Sequence, residues 1–154
     1  MSQETIPLEY SNALVFELEK AFYDERGKGT RFRMTTIGRQ YFQRECLPRL
    51  ESSDIGQIVQ TIEEVLQRDG IVGKVTPGDE DRLLRVRVEG CVHRAVEEKM
   101  IAHGVEPFAC VPANLLALAI EERLDRPVEL AEIKLEDGAC VLLLILFDKR
   151  PTLK

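Results

Sequence analysis

Tryptophan is missing from this chain, and histidine occurs only twice in 154 residues. The side chain most often used for proton transfer is therefore scarce. No glycine-rich phosphate loop, dinucleotide fingerprint or serine elbow occurs either. The chain thus reads as a non-enzymatic protein. No apolar run approaches the roughly 20 residues of a membrane-spanning helix. The longest, from Ala139 to Phe147, has the length of a buried strand, so membrane insertion is not expected. The N-terminal Met1-Ser-Gln-Glu-Thr5 lacks the basic and apolar regions of a signal peptide, which points to the cytoplasm. A basic surplus is also lacking. Lys and Arg total 21 against 27 Asp and Glu, for a net charge of −6. An acidic surface repels phosphate backbones, so nucleic acid is not an expected partner.

What is present suits one globular domain spanning residues 1–154, with 1–30 as an N-terminal helical extension. Hydrophobic residues make up 44% of the chain, and a chain this long buries roughly 70% of its unfolded surface without disulfides or metal. Over residues 8–25, Leu14, Leu18, Ala21 and Phe22 form one helical stripe. A second helix is expected over 33–47, with Ile37 and Tyr41 inward. Asp54 supplies an N-cap, and Ile55, Ile58, Val59, Ile62, Val65 and Leu66 then follow a 3.6-residue period. Residues 71–75 and 82–89 are expected to pair as a hairpin around the turn Thr76-Pro-Gly-Asp79. A short helix over 94–103 and a mostly apolar helix over 113–124 follow. Strands over 128–135 and 140–147, joined at Glu136-Asp-Gly138, close the chain. Helices followed by hairpins indicate an α+β fold: a four-stranded antiparallel sheet packed against N-terminal helices and one long buried helix.

Three of the four cysteines fall at element ends. Cys91 follows a strand, Cys110 precedes a helix, and Cys140 opens the last strand, with His93 close to Cys91. Side chains at element ends can converge at one edge of a sheet. Thiolates with imidazole are ligands for zinc, and three cysteines with one other ligand hold an iron–sulfur cluster. Against this, no two cysteines stand two residues apart, so the local chelate of zinc motifs is missing. Buried free thiols and a redox pair remain open alternatives. The adjacent pairs Glu63-Glu64, Glu97-Glu98 and Glu121-Glu122 read as solvated helix faces.

The stretch Cys91-Val-His-Arg94, then Pro107-Phe-Ala-Cys110, an apolar helix, Arg126-Pro-Val-Glu-Leu-Ala-Glu132 and Asp137-Gly-Ala-Cys140 resembles the 4-vinyl-reductase domain family. Upstream, Thr36-Ile-Gly38-Arg39 is similar to the start of that family's first conserved helix. The arrangement is shared with subunits of the TRAPP vesicle-tethering complex. The resemblance implies a homodimer with an apolar pocket between sheet and helices, serving as a sensory or small-molecule-binding module. A small hydrophobic ligand would contact Ile37, Tyr41, Phe108, Leu115 and Leu118, and a partner protein would receive the signal. It also implies, as an alternative, a zinc or iron–sulfur sensor using Cys91, Cys110 and Cys140 with His93. A further alternative is an accessory role in tetrapyrrole metabolism. Where the family often places another cysteine after the glutamate matching Glu132, this chain has Ile133-Lys-Leu135, so His93 or Glu132 would have to complete a metal set.

Overall fold

The structure is a computed structural model that describes residues 5–80 and 82–148. It is α+β, with helix α1 (Leu8–Arg26) leading through a tight helical stretch (Gly27–Thr36) to α2 (Arg39–Tyr41). A wide turn (Phe42–Cys46) and a tight one (Leu47–Arg49) continue α2, and α3 (Ile55–Arg68) follows. Strands β1 (Lys74–Glu80) and β2 (Leu83–Glu89) precede α4 (Arg94–Ala102) and α5 (Val111–Leu124), and β3 (Val128–Glu136) and β4 (Ala139–Leu146) end the described fold. Among the described residues no helix is long and apolar enough to cross a membrane.

Helix α3 starts where its sequence dictates. The Asp54 carboxylate accepts a hydrogen bond from the Gln57 N–H at 3.1 Å, which satisfies one of the orphan donors of the first turn. Ile58, Val59, Ile62, Val65 and Leu66 then present one buried face. Asp54→Ala is expected to cost about 1 kcal/mol in a urea unfolding experiment, the usual loss for an N-cap.

The sheet order is β1-β2-β4-β3, with every neighbouring pair antiparallel. Two hairpins are thus joined through β2 and β4, which lie at the centre. Leu84, Val86 and Val88 of β2 and Leu142, Leu144 and Leu146 of β4 share one core with the apolar residues of α3 and α5. On the opposite face of β4, Val141 is buried while Leu143 and Ile145 are half-buried. A central strand with apolar residues on both faces follows from that position. Strand β3 shows why its alternation is imperfect in the sequence. Its register steps from Leu130 opposite Leu144 to Glu132 opposite Leu143, leaving Ala131 as a bulge. The extra residue keeps Leu130 and Ile133, three positions apart, on the same core-facing side.

Two expectations are corrected, and the orientation of the α1 stripe is fixed. The four residues Thr76 to Asp79 are not a turn but lie within β1, with Pro77 opposite Val86, and the chain reverses between Glu80 and Leu83. Strand β1 is an outer strand, where a proline forfeits no ladder bond on its free side. The helix expected over 33–47 is broken at Gly38, whose φ is +95°; a side chain there would lie 3.2 Å from Val111 Cγ1 at the start of α5. Close passage of the two segments, with Asn114 Nδ2 donating to the Ile37 carbonyl at 3.0 Å, decides the break. Lastly, the α1 stripe faces outward: Leu14 is 46% and Leu18 63% exposed. Helix α1 packs on α4 instead through buried Asn12 and through Phe16 and Tyr23, which join Met100, Val105 and Phe108 in a second apolar cluster.

Candidate functional site

A cleft of about 420 Å³ opens where α1, the start of α4 and the start of α5 meet. Helix α1 contributes Val15, Leu18 and Phe22; Ile37, Val96, Val111 and Pro112 complete the apolar walls. Its polar groups are few: Glu19, Glu97, His93 and the thiols of Cys91 and Cys110. The cleft exists because Asn12 holds α1 to the segment after β2. Its Nδ2 donates to the Val92 carbonyl at 2.8 Å, and its Oδ1 lies 3.4 Å from His93 Nδ1. Arg94 anchors the same segment to the β3–β4 turn by donating to the Gly138 carbonyl.

Each thiol has its own local partner. Cys110 is the N-cap of α5, its Sγ accepting from the Ala113 N–H at 3.4 Å. Cys91 Sγ accepts from the His93 N–H at 3.4 Å. Cys140 donates its S–H to Glu97 Oε2 at 2.8 Å. All three thiol pKa values are raised, chiefly by burial, and the Glu97 charge pushes each further up. They are therefore protonated near neutral pH, and nucleophilic or redox work, which needs the thiolate, is disfavoured. Burial also lowers the pKa of His93, so the imidazole is neutral there.

Glu97 is the residue that the sequence conceals. It is 4% exposed, whereas its neighbour Glu98 is solvated and paired with Arg94 Nε at 3.1 Å. Burial, reinforced by Glu98, raises the Glu97 carboxyl to about 7, although the Cys140 hydrogen bond works in the opposite direction. Glu19, across the cleft on α1, is likewise raised to about 7 by burial and by the charge of Glu97. The signal in the sequence is helical phase: Glu97 shares a face with Val96 and Met100, both buried, while Glu98 falls on the other side.

The residues expected at a site divide accordingly. Cys91, His93, Cys110 and Ile37 line this cleft, and Cys140 touches it through Glu97. Tyr41 does not; its hydroxyl donates to Asp69 Oδ2 at 2.6 Å on the protein's exterior. Leu115 is fully buried and Leu118 is partly buried against the same core, and neither lines the cleft. Phe108 stacks on Tyr23, with centroids 5.8 Å apart, and borders a different trough of about 620 Å³ beside β3. That trough is larger but carries Lys28, Glu106, Glu129, Glu132 and Lys134, so it is a polar surface feature rather than an apolar pocket.

The expected metal ligands are not gathered into one centre. Among the described residues, no three His, Cys, Asp or Glu side chains are grouped so as to hold a metal ion. Cys91 and Cys110 are engaged by backbone N–H groups and Cys140 by Glu97, so Cys91, His93, Cys110 and Cys140 share a neighbourhood without sharing a centre. As they are placed, these residues do not assemble a zinc or iron–sulfur site. No family model and no curated protein matches the chain.

Proposed function

We propose that this chain is a 4-vinyl-reductase-like, non-enzymatic module in which the cleft between α1, α4 and α5 receives a small hydrophobic ligand. The supporting observation is the cleft itself: about 420 Å³, walled mainly by aliphatic and aromatic side chains and carrying few polar groups. Binding sites for small molecules have this make-up, with the polar groups fixing orientation. The four-stranded antiparallel sheet with helices packed on it agrees with the family's architecture. In this reading the module acts in the cytoplasm as a homodimer and reports ligand binding to a partner protein. The cleft's thiols are held protonated near neutrality and so are weak nucleophiles, while Glu19 and Glu97, raised to about 7, are divided between their two forms there.

Native mass spectrometry of the purified chain is expected to show a retained hydrophobic ligand, and Nile red is expected to bind competitively with it. Leu18→Arg, which sets a charge at the exposed wall of the cleft, should weaken Nile red binding by about tenfold. An empty mass together with no Nile red binding would overturn the reading. The same spectra give the oligomeric state, and a monomer would remove the homodimer from it.

A further inference from the structure

Among the described residues, Glu19 and Glu97 are the only acidic side chains that line the cleft, and no lysine or arginine lines it. Three cations of the neighbouring helices are engaged elsewhere. Arg94 is held by Glu98 and by the Gly138 carbonyl, Lys20 pairs with Asp24 at 2.8 Å, and Lys99 sits over the Phe16 ring. His93 is neutral, for the reason given above, and Cys91, Cys110 and Cys140 contribute only protonated thiols. Among the described residues, two carboxyls thus face an apolar space with no fixed positive charge inside it. Glu97 is 4% exposed and Glu19 is close enough to feel its charge. Neither carboxyl ionises readily there, because burial and mutual repulsion oppose the charged form.

A neutral hydrocarbon would gain from the walls alone, and an anion would be repelled. A divalent metal lacks a sufficient set of ligands among the described residues. A protonated amine on an apolar body gains from both parts. Its body replaces water against Val15, Leu18, Phe22 and Val111, and its ammonium group supplies the absent cation and donates hydrogen bonds to the carboxylates. We propose that the cleft selects an amphiphilic amine, with its apolar part between α1 and α5 and its cationic head between Glu19 and Glu97. The proposal rests on the reading of the cleft as a small-molecule site and narrows the class of molecule it takes.

The test is calorimetric titration of the full chain at about pH 8 with three probes of one shape: 4-phenylbutylamine, 4-phenylbutanol and 4-phenylbutyrate. The amine is expected to bind at least about tenfold tighter than the alcohol, and the carboxylate weakest of the three. Glu19→Gln should bring the amine's affinity down toward that of the alcohol. Glu17→Gln, an exposed change on the same helix outside the cleft, controls for attraction by the protein's net negative charge and should retain the preference. Equal binding of amine and alcohol, or an equal loss of preference in Glu17→Gln and Glu19→Gln, would overturn the charge selection and leave the cleft standing as an apolar site. Failure of all three probes to bind would count against the cleft as a ligand site and against this proposal with it.

Discussion

Glu97→Gln is expected to stabilise the protein at about pH 8 and to leave its stability at about pH 4 unchanged. The difference is on the order of 2–3 kcal/mol. The Glu97 carboxyl is raised from 4.5 to about 7, mainly by burial. Below the unfolded value both states carry the proton and the group is silent. As pH rises through that value the unfolded chain loses the proton first while the native state keeps it. Native stability therefore falls across the window up to about 7 and stays reduced above it. Glutamine keeps the shape and retains an oxygen to accept from the Cys140 thiol, but has no charge to desolvate. Urea midpoints of wild type and variant at the two pH values measure the effect. Equal shifts at both would mean that Glu97 is not held protonated. Glu19 is raised in the same direction, so the wild type as a whole should lose stability between weakly acidic and weakly basic pH.

Leu142→Ala should cost about 2–5 kcal/mol, the range for truncating a fully buried leucine. Leu142 is 0% exposed and stands between Val86 of β2 and Ile133 of β3, beneath the helices. No neighbour can collapse into the void without moving the sheet, because both flanking strands are fixed by their ladders. Leu143→Ala, one residue along and on the half-buried face, should cost only about 1 kcal/mol. The ratio of the two, from urea unfolding, measures how unequally the two faces of β4 contribute. Similar costs would mean that the outer face is covered in solution.

The fold was legible where a single pattern dominated. The regular apolar spacing of α3, the cap at Asp54 and the doubly apolar β4 each admit one reading, and the antiparallel α+β arrangement follows from their order. Misreadings came where local signals competed with tertiary position. Pro77 and Gly78 read as a turn because those residues usually break strands, yet at the rim of a sheet a strand tolerates them. The stripe of Leu14 and Leu18 did not say which way it would face, and the fold leaves it exposed because α1 is held through Asn12, Phe16 and Tyr23. The neighbourhood of Cys91, Cys110 and Cys140 was readable from their places at element ends. Their separate partners were not, since these depend on distances that spacing alone does not supply. Glu97 was hidden by its neighbour: two adjacent glutamates look alike in a sequence, and only the phase of α4 places one inside and one out.

Pro77 has a consequence for how this protein behaves when crowded. A sheet grows into fibrils by adding strands at both rims, and a proline at mid-strand removes a donor that an incoming strand would require. With Pro77 and the side-chain-less Gly78 in β1, that rim is a poor template. The β3 rim is distorted by its bulge and carries Glu129, Glu132 and Lys134. Edge-on growth is thus disfavoured by covalent geometry on one side and by kink and charge on the other, which shields the almost wholly aliphatic β4 between them.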